Sequence, residues 1–169
     1  MIRNLVWFSA VGVFALLETT YLERVRVFGV LPDMMVLLVV FFSLREGEEW
    51  GMFTALVGGL FQDVASDSVL GHHVLGLALV AFFVGKLSTR LVTDHPAVKA
   101  GLVLLSGVSS GLFFVVIKYL QKPTVPVVQL TLSEVIPAAF YTALLTPFVF
   151  WLIERVVGRF FAPPTVVTE

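Results

Sequence analysis

Six long apolar runs, separated by short polar breaks, fill this chain of 169 residues. They lie at roughly 4–22, 29–45, 49–65, 70–91, 98–119 and 133–155, near the ~20 residues that a helix needs to cross a bilayer. In water so much apolar surface could not be covered. Hydrophobic residues make up 58% of the chain and charged ones 14%, against ~25% charged in a soluble domain. The expected fold class is therefore all-α: a polytopic membrane protein, with six transmembrane helices in one bundle forming a single domain over 1–169. Little chain remains for a soluble domain. No internal repeat is evident.

Several function classes recede at once. A net charge of -1 argues against a nucleic-acid partner, and without cysteine there is no disulfide or thiol chemistry. Arg3 and Asn4 are the only polar residues around the start of the first run. The following "ETTYLERV" offers no small-x-small cleavage site, so the run is expected to stay as the first span.

Orientation follows the basic residues. With the amino terminus inside, the inner segments hold Arg3, Arg45, Lys86, Arg90, Lys99, Arg155 and Arg159, and the outer ones hold Arg24, Arg26, Lys118 and Lys122. Both termini are thus expected in the cytoplasm. Trp7, Trp50 and Trp151 fall near inner ends and Tyr21 and Tyr119 near outer ends, as in an interfacial belt.

Local signals mark the helix ends. Pro32 and Asp33 suit the first turn of the second span. Thr131-Leu132-Ser133-Glu134 reads as a capping box opening the sixth. Pro147 is interior to that span and should kink it. The β-branched, proline-bearing 123–132 stretch reads as extended, on the outer surface.

Candidate chemistry is sparse. Asp63, Asp67, His72 and His73 could supply four metal ligands, but the spacing fits no zinc pattern and adjacent histidines rarely face one ion. No metal and no cofactor is expected. The plain reading is a polar turn in which Ser66, Asp67 or Ser68 caps the fourth span. Asp63 is different. It falls in the last turn of the third span, where the helix dipole disfavours an anion. It therefore needs a partner: Arg24 or Arg26, a histidine, or amides at the start of the fourth span.

"GVSSG" at 107–111 fits G-x-S-x-G, which serves a nucleophile only on a strand-to-helix turn beside a histidine. Here it lies in a helical run, so no catalytic residue is assigned. Gly107 and Gly111 also make a small-residue strip, as do Gly47, Gly51, Ala55 and Gly59. Each strip fits packing inside the bundle or a face for a partner, including a second copy in a homodimer. Glu18 is the one acid well inside an apolar run, a position that suits either snorkelling or a role. The other span interiors carry almost nothing ionisable, which argues against an ion-coupled transporter.

Residues 31–85 carry a resemblance. Pro32-Asp33 before an apolar run, a short charged turn, then Gly59-Leu60-Phe61-Gln62-Asp63 and Leu70-Gly71 resemble the rod shape-determining protein MreD family in order and spacing. The resemblance implies a non-enzymatic protein of the bacterial cytoplasmic (inner) membrane, acting in cell elongation and peptidoglycan synthesis. Its implied partners are an MreC-like single-pass protein, MreB, RodA and a class B penicillin-binding protein, with membrane lipid around it. It also implies a fold similar to the S subunits of energy-coupling-factor transporters. Pro32, Asp33, Gly59, Asp63 and Gly71 are motif positions in it, without catalytic roles. The rival reading is a small-molecule-binding subunit of a vitamin-type transporter, with Asp33, Asp63, His72 and Glu134 around an outward pocket.

Overall fold

In a computed structural model the described residues are 2–20, 30–65, 71–88 and 95–158. They form six helical rods: α1 (Ile2–Thr20), α2 (Met34–Arg45), α3 (Glu48–Ala65), α4 (His72–Ser88), α5 (Pro96–Gln121) and α6 (Val127–Val156). Strands are absent among them. By length and apolarity alone, α5 and α6 each suffice to cross a membrane.

The shortest rod is the centre. Residues Met35 to Ser43 of α2 are all buried, and α2 touches all five other helices. The sequence "MMVLLVVFFS" has no polar face, so its neighbours can be lipid or protein; here the other five helices cover it. Its 12 residues span about 18 Å at 1.5 Å per residue, well short of a bilayer core. The span expected from 29 therefore begins as helix only at Met34. Pro32 disfavours helix in the residue before it, and Asp33 caps the rod: its Oδ1 accepts from the Val36 amide at 2.9 Å.

Two contacts give α2 its depth. The Asp33 amide donates to Thr142 Oγ1 at 2.9 Å, and Arg45 Nη1 meets Glu154 Oε1 at 2.9 Å. Residues 33 to 45 thus run parallel to 142 to 154. Upstream of Thr142, α6 continues back to Val127, about 22 Å of further helix. So α2 starts partway along α6 and accompanies only its second half.

The sixth rod departs from its expected start. Helix begins at Val127, so the 123–132 stretch is not extended throughout. Thr131–Val135 is a π-helical turn inside the rod, and no capping box forms. The Thr131 hydroxyl donates to the Val127 carbonyl at 2.8 Å, and Ser133 to Gln129 at 2.7 Å. Hydroxyls bonded back to carbonyls within the preceding turn are spent within the helix rather than on capping. None of residues 127–135 is buried.

Small residues set the helix spacing. A Cβ on Gly51 would collide with the Ser43 side chain of α2, and one on Gly59 would lie 2.6 Å from Val74 Cα of α4. Ala55, between them, is fully buried. Gly47 does not belong to this strip. It precedes α3 with φ +90, and a Cβ there would meet nothing within 4 Å; it is the turn glycine between α2 and α3. Gly107 and Gly111 are covered from within the chain. Cβ atoms there would lie 3.1 Å from Ala139 Cβ and 2.5 Å from Val135 Cγ1 of α6. Because α6 fills this strip, it is not an open face for a partner helix.

Trp7 also differs from a belt residue. Its indole donates to Thr54 Oγ1 at 2.9 Å, and its ring meets Trp50 edge-on at 5.8 Å, so it ties α1 to α3 in the core. Trp151 stays exposed, with the Arg155 guanidinium 5.2 Å above its ring. Phe53, Leu60, Phe83, Leu105, Leu144 and Phe148 are exposed around the bundle. Apolar residues on this scale face outward when the solvent is lipid.

Candidate functional site

The ends of α1, α2, α3 and α4 that meet near Thr142 bring Glu18, Asp33, Gln62 and Asp63 together. Pro32, Asp33, Gly59, Asp63 and Gly71, which are spread over forty residues of sequence, come together there.

Asp63 lies in the last turn of α3, with its carboxylate inaccessible to solvent. Oδ2 accepts from the Gly71 amide at 2.8 Å, and Oδ1 from the His73 amide at 3.0 Å. The Val74 amide stands at 3.5 Å. Gly71 carries φ +103 and its carbonyl accepts from Leu75, so it occupies the capping position of α4 without a side chain. Asp63 supplies the missing cap from the neighbouring helix. Its charge sits at the unfavourable end of one dipole and the favourable end of another, and the free amides of α4 stabilise it. Of the other partners weighed for it, Arg24 and Arg26 lie outside the described residues. So do Ser66, Asp67 and Ser68, the residues expected to cap α4.

His73 completes this corner. Its Nδ1 is 2.9 Å from Asp63 Oδ1, and its ring lies over Phe114 of α5 with centroids 5.0 Å apart. An ionised carboxylate only accepts, so Nδ1 is the protonated nitrogen. The histidine links α3, α4 and α5.

A second group sits beside it. Gln62 Nε2 donates to Glu18 Oε1 at 2.8 Å and reaches Asp33 Oδ1 at 3.5 Å. One amide thus joins α1, the start of α2 and α3, while Thr142 adds α6 through the Asp33 amide. Glu18 therefore points into the bundle and does not snorkel. The sequence reading assigned nothing to Gln62 or Thr142. Gln62 was visible as the one neutral polar residue in "GLFQD"; Thr142, in a run of apolar residues, gave no signal.

The remaining candidates are scattered. His72 Nε2 is 2.9 Å from Gln121 Nε2 of α5, and Glu134 is exposed on the π turn. Apolar grooves of about 550 Å³ and 280 Å³ lie between α5 and α6 and between α4 and α5. Ser109 lines the second, mid-helix, so "GVSSG" has no strained turn. Among the described residues, no group of three or more His, Cys, Asp or Glu is placed to hold a metal ion.

No curated protein and no solved structure matches the chain. The sequence profile of rod shape-determining protein MreD matches residues 1–163 of it. That family is a shape-determining component of the bacterial inner membrane and not a known enzyme family. A match over nearly the whole chain, joined to an all-helical bundle with an apolar exterior, shows that this protein belongs to the rod shape-determining MreD family.

Proposed function

We propose that the protein is a non-enzymatic scaffold of the cell-elongation machinery. It crosses the inner membrane six times with both termini in the cytoplasm, binds an MreC-like single-pass protein, and helps couple it to MreB, RodA and a class B penicillin-binding protein. The observation that supports this reading best is the family match over residues 1–163. The bundle adds to it: its polar side chains near Thr142 are engaged in helix caps and interhelical bonds, an economy that suits holding helices together. The transporter-subunit reading gains no such support, because Asp63 is enclosed by α4 and Asp33 caps α2.

The outer arm, where α5 runs into α6, is the surface we assign to the partner. Leu120, Val128 and Leu132 are exposed on it. Photo-crosslinkers at Val128 and Leu132 in cells should capture the MreC-like protein, with crosslinkers at Phe53 and Leu60 as controls. Capture at the controls alone would move the interface to α3. A complex that never forms between the purified proteins would remove the scaffold reading.

A further inference from the structure

Glu18, Asp33 and Gln62 hold more acceptors than donors. The Gln62 amide nitrogen serves both carboxylates. Asp33 Oδ1 also takes the Val36 amide. Glu18 Oε2 and Gln62 Oε1 are buried and have no hydrogen-bond partner. The start of α2 turns the Met35 amide toward both carboxylates, and His73 of α4 faces Asp33; the other groups described around them are committed elsewhere. On α6 the Thr142 hydroxyl accepts from the Asp33 amide and donates to the Ala138 carbonyl. On α3 and α4, Asp63 and His73 bond each other. Two full negative charges here would lie largely away from water, with one side-chain amide and the first backbone amides of α2 but no cation bonded to either, which costs more than such a cluster returns. Removing one charge and adding one donor resolves both deficits together.

We propose that Glu18, Asp33 and Gln62 form a binding site for one proton, carried on Glu18 Oε2. The proton arrives from bulk water as hydronium and leaves a water molecule behind. The pair's charge goes from -2 to -1, and no bond between heavy atoms changes. The protonated oxygen becomes a donor amid acceptors, with Gln62 Oε1 the orphan nearest in kind. Loss of the proton sets Glu18 against Asp33 and loosens α1 from α2 and α3. This inference stands on the side-chain geometry alone and is independent of the scaffold reading.

The test uses the full chain in lipid vesicles. Infrared spectra should show a protonated carboxyl C=O stretch at neutral pH, shifted by deuterium exchange and lost in Glu18→Gln. The thermal midpoint of the wild type should fall as pH is raised. A site that binds the proton only when folded stabilises the fold below the pH at which the proton leaves, and that stabilisation is lost above it. Glu18→Gln, which carries a permanent donor, should remove that fall over the same range. If Glu18→Gln does not fold, the wild-type band decides alone. A wild type with only carboxylate bands at neutral pH overturns the proposal. So does a midpoint raised by sodium over choline at fixed ionic strength, which would assign the oxygens to a metal ion.

Discussion

A Cβ on Gly59 would sit 2.6 Å from Val74 Cα and 2.7 Å from its nitrogen, so α3 and α4 touch backbone to backbone there. A flexible side chain could move aside; a backbone cannot. Gly59→Leu should therefore separate the helices and lower stability by about 1–3 kcal/mol, as overpacking does in cores. Gly12→Ala is the control, since its Cβ would meet nothing within 4 Å. Thermal melts of the two variants in one detergent check the contrast; equal melts would place no close packing at Gly59.

Asp63 takes amides on both of its oxygens, from Gly71 and His73. Asparagine keeps one acceptor and turns a donor toward an amide that is itself a donor. Asp63→Asn should therefore fall between the wild type and Asp63→Leu. A charge-assisted bond contributes roughly 1.5–3 kcal/mol, so the leucine variant should lose at least that much. Asp67→Leu, at a position read from sequence as a solvated turn, should lose less. Denaturation midpoints give the order, and Asp67→Leu at or below Asp63→Leu would contradict it.

Arg45 and Glu154 close the other end of α2. Glu154 is 63% exposed on its side chain, so the pair is worth little by itself, about 0–1 kcal/mol. Arg45 also reaches the Gly158 carbonyl at 3.4 Å and lies over the Phe41 ring. Arg45→Ala should cost more than Glu154→Gln, and added salt should erase the Glu154→Gln effect but not that of Arg45→Ala.

Topology has its own measurement. Single cysteines at positions 2, 67, 94 and 165, labelled in intact cells with an impermeant thiol reagent, should react at 67 alone. Labelling at 94 from outside would break the six-crossing arrangement.

Run length and composition determined the helical class, because a chain this apolar can satisfy its backbone in lipid only by helices or a closed barrel, and its runs have helix length. The motif residues of 31–85 pointed to the family on their own. Asp63 at the end of its span already implied a compensating donor, because a helix end has a sign that sequence position alone reveals. What sequence could not decide was which elements meet. That α2 is the short central rod depends on five helices closing over it, and nothing in "MMVLLVVFFS" distinguishes lipid from protein as the apolar neighbour. The Thr131–Glu134 pattern matched a cap, yet helix continued through it, since Val127 to Leu130 had already started the turn. Gly107 and Gly111 offered a flat strip either way; only the fold of α6 back onto α5 assigned it to the chain itself. The Glu18–Gln62–Asp33 group joins three helices whose residues lie up to 44 positions apart. Local pattern encodes a helix and its ends, but long-range polar partners are chosen by packing, which sequence spacing does not carry.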